Sequence, residues 1–220
     1  MKPTHTRPRR LVTVVVEEDP DIIFLTETKC NPEITTLFNT DRFTIVRKDR
    51  PYQNAPGGGV AVVVRKHLVV SEDSVVSLVG HDAQETVWCE VRNMEGKDLL
   101  LGAIYRPPSS PLENNDGICD LLKMSEEVTR NKQLLVCGDF NYGNIMWEEN
   151  RVENGSQGYG QAMHFLETIN DHYWTQNITD WTHLRDDDNP LNSPEQTVRL
   201  IISDTWHLLA GASMQLSVLH

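Results

Sequence analysis

Short apolar runs separated by polar, turn-forming clusters dominate the chain. Asp21–Thr26, Phe43–Val46, Val60–Val64, Val75–Val79, Glu85–Val91, Leu99–Tyr105 and Val198–Ser203 are rich in branched and aromatic residues, and their length and composition predict strands. Leu134-Leu135-Val136-Cys137 adds another, bounded by polar Asn131, Lys132 and Gln133 on one side and Gly138 on the other; four apolar residues in a row predict a fully buried strand. The runs between Val75 and Tyr105 follow at meander spacing, with Asn93–Lys97 as a turn. Two stretches change to helical spacing. Leu112–Arg130 carries Ile118, Leu121, Leu122, Met124 and Val128, and Gly160–Asn170 carries Met163, Phe165, Leu166 and Ile169, the pattern of amphipathic helices that cover a sheet. Leu11–Glu18 is ambiguous, because its valines at 12, 14, 15 and 16 favour a strand by branching.

Buried runs that alternate with amphipathic helices predict an α+β fold of two stacked sheets with helices outside, a four-layer α/β/β/α sandwich. Three segments are expected: a loose basic tail over 1–10, one domain over 11–203, and an atypical C-terminal extension over 204–220. The Leu134 strand and the Asp21 strand are expected as neighbours in one sheet, delivering Asp139 and Glu27 to the same end.

Composition narrows the class. With 220 residues, 39% of them hydrophobic and 24% charged, the chain suits one soluble domain rather than a disordered or membrane-spanning protein. No apolar run approaches the roughly 18 residues of a spanning helix, and Met1–Arg10 has no apolar signal core. No membrane partner and a nuclear or cytoplasmic location are therefore expected. Cys30, Cys89, Cys119 and Cys137 lie far apart without a C-x-x-C pair, so they read as reduced, mostly buried thiols. A net charge of -12 argues against bulk electrostatic binding of nucleic acid. A local basic rim remains open to Arg47, Lys48, Arg50, Arg65, Lys66 and Arg106, each of which equally fits a solvated surface.

Candidate chemistry lies at strand ends. Gly138 allows close backbone approach, and Asp139 and Asn141 are two positions apart in Gly-Asp-Phe-Asn, so persistent strand geometry sends both side chains to one face. The same four residues also fit an ordinary strand-to-loop turn. Glu27 ends the Asp21 strand and offers a hard oxygen ligand suited to magnesium; a surface glutamate is the plainer reading. Tyr105 ends another strand beside Pro107-Pro108 and is either a site residue or a core tyrosine. Gly57-Gly58-Gly59 is followed by a strand and no Lys-Ser/Thr, which fits a hairpin loop better than a phosphate-binding P-loop. Trp147, in the polar loop Asn144–Ser156, fits packing better than base stacking. Asp186-Asp187-Asp188 lacks the alternation and glycine of a calcium loop.

Taken together, Asp19-Pro20-Asp21-Ile22-Ile23-Phe24-Leu25-Thr26-Glu27-Thr28, Gly57-Gly58-Gly59-Val60-Ala61-Val62, Tyr105-Arg106-Pro107-Pro108 and Gly138-Asp139-Phe140-Asn141 resemble the endonuclease/exonuclease/phosphatase superfamily. The likeness runs from about Glu17 to Asn150, more faintly to Ser203, and is closest to the endonuclease domain of non-LTR (LINE-type, jockey-like) retrotransposon polyproteins. The resemblance implies a DNase I-like sandwich, with Leu11–Glu18 as a helix, and a phosphodiester hydrolase that uses Mg2+, with Mn2+ as a substitute, on DNA. It implies Glu27 as metal ligand, Asp139 beside the attacking water, Asn141 orienting the phosphate or Asp139, and Tyr105 supporting the phosphate.

Two departures accompany the likeness. Family members open with a strand ending in asparagine, for which no counterpart precedes Glu27. They also carry an aspartate on the late strand that pairs with the histidine of a Ser-Asp-His motif; here Arg199 stands in Thr197-Val198-Arg199-Leu200-Ile201-Ile202, and neither His207 nor His220 has that context. The domain is therefore expected to be incomplete at both ends, with a sheet face or edge uncovered and weak or absent turnover. A catalytically dead binding module and a phosphomonoesterase or phospholipase are the alternatives.

Overall fold

The computed structural model describes residues 20–30, 39–50, 57–71, 78, 85–92, 98–129, 132–176, 199–203 and 214–218, the last two segments as backbone. The 1–10 tail, Leu11–Glu18, the Asn93–Lys97 turn, the Asp186–Asp188 stretch and, apart from Leu78, the Val75–Val79 run lie outside the described residues.

In chain order the strands are β1 (Ile22–Thr26), β2 (Phe43–Lys48), β3 (Val60–Arg65), β4 (Val69–Ser71), β5 (Thr86–Arg92) and β6 (Asp98–Tyr105). Helix α1 (Leu112–Val128) leads to β7 (Gln133–Asp139), the short pair β8 (Ile145–Met146) and β9 (Arg151–Val152), helix α2 (Tyr159–Asp171), β10 (Thr175–Gln176), β11 (Arg199–Ser203) and β12 (Met214–Val218). One sheet has the order β12-β1-β3-β2 and the other β10-β11-β7-β6-β5-β4. Of the meander expected over Val75–Tyr105, the antiparallel β5–β6 pair is present; the strand on the other side of β5 is β4 (Val69–Ser71), not the Val75–Val79 run, and β6 and β7 run parallel with α1 between them.

The apolar runs are continuous because both faces of the strands are covered. On the larger sheet Leu101, Cys89 and Cys137 face the other sheet and meet Phe24, Val62 and Val64. The alternate residues Leu100, Trp88 and Val136 face the helices and meet Ile118, Leu122 and Phe165. Side chains of this size each contribute about 1.5–3 kcal/mol on burial. The order of layers is thus helices, six-stranded sheet, four-stranded sheet; the outer face of the smaller sheet, with Ile23, Leu25 and Val63, is also buried. Close packing makes one glycine necessary. Gly138 lies opposite Ile104 in the β6–β7 register, and a Cβ there would collide with the Ile104 carbonyl.

Three expectations change. Strands β1 and β7 are not neighbours in one sheet; they face each other across the sandwich, because β1 pairs with β3 and β12 while β7 pairs with β6 and β11. Of the sheet face or edge expected to be uncovered, the edge of β1 away from β3 is occupied by β12, which pairs with it in parallel from Ile22↔Met214 to Thr26↔Val218. The Asn144–Ser156 loop holds β8, a single helical turn over Trp147–Glu149 and β9, pieces too short to leave a periodic signal. Trp147 is partly buried against the helix-side core, in line with the packing reading.

Candidate active site

Tyr105 joins the chemistry of the two sheets. Its Cα is the register partner of Asp139 in the parallel β6–β7 pair, and its hydroxyl donates a 2.5 Å hydrogen bond to Oε1 of Glu27, which follows β1 in the opposite sheet. Glu27 and Asp139 therefore come to one end of the sandwich from different sheets. Burial, the Glu27 hydrogen bond and the negative charges of Glu27, Asp139 and Glu85 all push the Tyr105 phenol far above its ordinary range. It stays protonated at any physiological pH, so it acts as a donor and not as a base.

The Gly-Asp-Phe-Asn segment differs from expectation in one respect. Strand β7 ends at Asp139, and Asn141 takes a left-handed backbone conformation at φ 50°, so alternation does not carry both side chains to one face. The two are linked instead through a local turn in which the Asn141 backbone N–H donates to Asp139 Oδ1 at 3.2 Å. The Asn141 side chain donates through Nδ2 to the Arg106 carbonyl at 2.7 Å, which directs its amide to the loop.

Arg106 holds that loop from behind. Its backbone N–H donates to the Asp139 carbonyl at 2.8 Å, its Nη1 donates to the carbonyls of Phe140 and Asn141 at 3.3 Å each, and its Nη2 donates to Gln161 Oε1 on α2. The guanidinium also lies 4.1 Å from the centroid of the Tyr142 ring, a cation–π geometry. Only 3% of Arg106 is exposed, so it is a buried brace and does not belong to a solvated rim.

The other rim candidates divide by strand direction. Arg47, Lys48 and Arg50 lie at the end of β2, on the same side as Glu27, whereas Arg65 and Lys66 lie at the far end of the antiparallel β3. There Arg65 Nε donates to the Pro20 carbonyl at 3.0 Å. Arg47 pairs with Asp49 at 3.3 Å. Lys48 is half-buried, and loss of solvation lowers its pKa against the opposing pull of Glu85.

Glu85 escaped sequence reasoning. It is buried at the head of β5 and accepts hydrogen bonds from Arg50 Nε at 2.7 Å and from the Gly59 N–H at 2.6 Å. Gly57, Gly58 and Gly59 have φ of 112°, 72° and 85°, and a Cβ on Gly58 would strike Arg50 and Glu85. The triglycine is thus the arm of the β2–β3 hairpin folded around an ion pair, as the hairpin reading requires. The one available signal was an acid placed directly before an apolar run.

The donor set fits a hard divalent cation that keeps most of its waters. The Glu27 side chain is 26% exposed and open to water, and hydrated magnesium sites need only one or two protein carboxylates. Among the described residues no three His, Cys, Asp or Glu side chains form a closed cage.

Comparison with known proteins bears on the family and the fold. The chain matches the model of the Endonuclease/Exonuclease/phosphatase family over residues 2–190. No curated protein sequence matches it. Similar solved structures include a mannosyl-6-phosphatase of Bacteroides thetaiotaomicron, with 14% identity, 90% of this chain and 76% of that chain covered, and a TM-score of 0.58. An endonuclease/exonuclease/phosphatase family protein of the same organism gives 14%, 90%, 73% and 0.56. D. rerio TDP2 complexed with a single-strand DNA product gives 16%, 61%, 53% and 0.47, so the chain spans about half the length of that protein. At such identities the structural likeness concerns the fold. Because the family model covers most of the chain and the same two-sheet sandwich recurs, the chain belongs to the endonuclease/exonuclease/phosphatase family of hydrolases.

Proposed function

We propose that the chain is a divalent-metal-dependent phosphodiester hydrolase acting on DNA, of the kind found in non-LTR retrotransposon polyproteins. The observation that carries this reading is the junction at Tyr105, which brings Glu27 and Asp139 from opposite sheets to one end of the molecule. Glu27 would hold magnesium, or manganese in its place, and the ion would supply Lewis-acid polarisation of the phosphate. Asp139 takes the proton of the attacking water, with the Asn141 N–H fixing one carboxylate oxygen. Tyr105, kept protonated, would shift its single hydrogen bond from Glu27 to a phosphate oxygen when substrate binds. Lys29, 3.6 Å from Glu27 Oε2, and Lys48 provide positive charge for the flanking DNA backbone. The DNA assignment itself rests on the retroelement-like wording of the four motifs.

The test is nicking of supercoiled plasmid with Mg2+, with Mn2+ and with EDTA, alongside hydrolysis of sugar and inositol phosphate monoesters. Slow, metal-dependent nicking that Glu27→Gln and Asp139→Asn abolish is expected. The rate should lie about 100-fold or more below that of a relative carrying the late histidine, the usual effect of one missing charge-stabilising group. Nicking that persists in EDTA or in either variant overturns the reading. Monoester hydrolysis without nicking moves the protein to the phosphatase branch, and no hydrolysis at all leaves a binding module.

A further inference from the structure

Glu27 and Tyr105 belong to a closed circuit of contacts, and Glu85 is the residue that closes it. The Glu85 carbonyl accepts the Tyr105 backbone N–H at 2.9 Å. Its Oε2 accepts the Gly59 N–H at 2.6 Å. The Gly59 carbonyl in turn accepts the N–H of Thr28 at 3.2 Å, and the Gly58 carbonyl that of Lys29 at 2.9 Å. Thr28 follows Glu27, whose side chain accepts the Tyr105 hydroxyl, so the path returns to its start. Arg50 braces it from inside, donating to Glu85 Oε1 through Nε and Nη2 while its guanidinium lies 6.0 Å from the Tyr105 ring centroid.

We propose that Glu85 is a positioning residue that sets the geometry of the Glu27 carboxylate through this circuit; the inference rests on the reading of Glu27 as the metal ligand. The segment it controls needs external support, because Glu27 and Lys29 both have left-handed backbone conformations at φ 53°, which side chains other than glycine adopt at a cost. A carboxylate does at Glu85 what no neutral group can do. It accepts from the backbone at one oxygen and from a guanidinium at the other, and charge-assisted bonds of this kind are the stronger ones. Glutamine must turn an NH2 group toward one of these donors and loses the charge that holds Arg50.

The experiment measures Mn2+ binding to the intact chain by the loss of the free-ion electron paramagnetic resonance signal. It compares the unaltered chain with Glu27→Gln, Glu85→Gln and Glu90→Gln. Glu90 is a control on the same strand: it is also buried and paired with a cation, Lys132, but lies near the opposite end of β5. Glu85→Gln is expected to weaken Mn2+ binding by about tenfold, in the range seen when a partner of a metal ligand is lost, while Glu90→Gln leaves it unchanged at a similar loss of stability. Unchanged binding in Glu85→Gln, or equal weakening in Glu90→Gln, overturns the proposal. Should Glu85→Gln fail to fold, Arg50→Gln decides: weakened binding supports the circuit and unchanged binding overturns it. If the unaltered chain binds no Mn2+, or Glu27→Gln binds it undiminished, the metal reading itself fails and the inference falls with it.

Discussion

The Tyr105 hydroxyl and the Glu27 carboxylate, 78 positions apart in sequence, meet at 2.5 Å across the two sheets. Tyr105→Phe removes the donor but leaves the partly exposed Glu27 able to recover a water, so the variant should lose only about 1–2 kcal/mol at neutral pH. The phenol binds its proton more tightly in the folded than in the unfolded chain. Its contribution is therefore fully present below the unfolded value of 10.0 and is lost as the pH rises beyond that toward the much higher folded value. Urea unfolding of both proteins at pH 8 and at about pH 11 should show the gap closing by about 1.4 kcal/mol per pH unit above the unfolded value. A gap that widens with alkali would contradict the arrangement.

Gly138→Ala tests the close approach of β6 and β7. The added Cβ meets the backbone of Ile104, with its carbonyl carbon at 2.8 Å, and neither strand can yield without breaking the register that sets Tyr105 beside Asp139. A loss of about 3 kcal/mol or more is expected, at the upper end for overpacking, together with loss of any metal-dependent activity. Denaturant titration and the nicking assay check the two parts separately.

Arg106→Lys keeps the charge and discards the fork. A single ammonium cannot serve the Phe140 and Asn141 carbonyls, reach Gln161 and stack on Tyr142 at once. We expect a loss of about 2–3 kcal/mol, with Gln161→Ala losing about 1 kcal/mol because it removes only the outermost contact. Equal stability of Arg106→Lys and the unaltered chain would show that the guanidinium contacts carry little.

All four cysteines are free and buried. Burial raises the Cys30 thiol, pushes Cys119 up to about 11 and places Cys137 higher still. A disulfide reagent at pH 8 should find no fast thiol in the folded chain and four in denaturant. Rapid labelling of Cys137 before unfolding would be incompatible with its place between the sheets.

Much of this was legible from single residues. Strands buried on both faces leave unbroken apolar runs, so β1, β5, β6 and β7 stood out, and Glu27 after β1 and Asp139 at the end of β7 drew attention because they interrupt those runs. Partnership was harder to read. Nothing in Ile22–Leu25 or Leu134–Cys137 says which sheet each joins, since both are apolar on both faces. Arg106 beside two prolines looks like a surface turn until Tyr142, 36 positions later (142 minus 106), is known to lie under it. Glu85 and Arg50 are 35 positions apart, and each alone resembles ordinary solvated charge. Asn141 was expected to follow strand alternation, but β7 ends at Asp139, and the left-handed backbone at Asn141 reassigns its amide to the Arg106 carbonyl.

The parallel pairing of β12 with β1 bears on how the protein is made. During synthesis β1 leaves the ribosome long before Met214–Val218, and at about 5–20 residues per second the interval is roughly 10–40 s. Through that time one edge of β1 has open backbone donors and acceptors beside strongly apolar side chains, the condition under which nascent strands pair with the wrong neighbour. Each sheet can gather its early strands as they emerge, β1, β2 and β3 in one and β4 through β7 in the other, and each then waits for a late one, β12 beside β1 and β11 beside β7. Slow translation between β7 and β12 should therefore prolong the time in which β1 has one edge open.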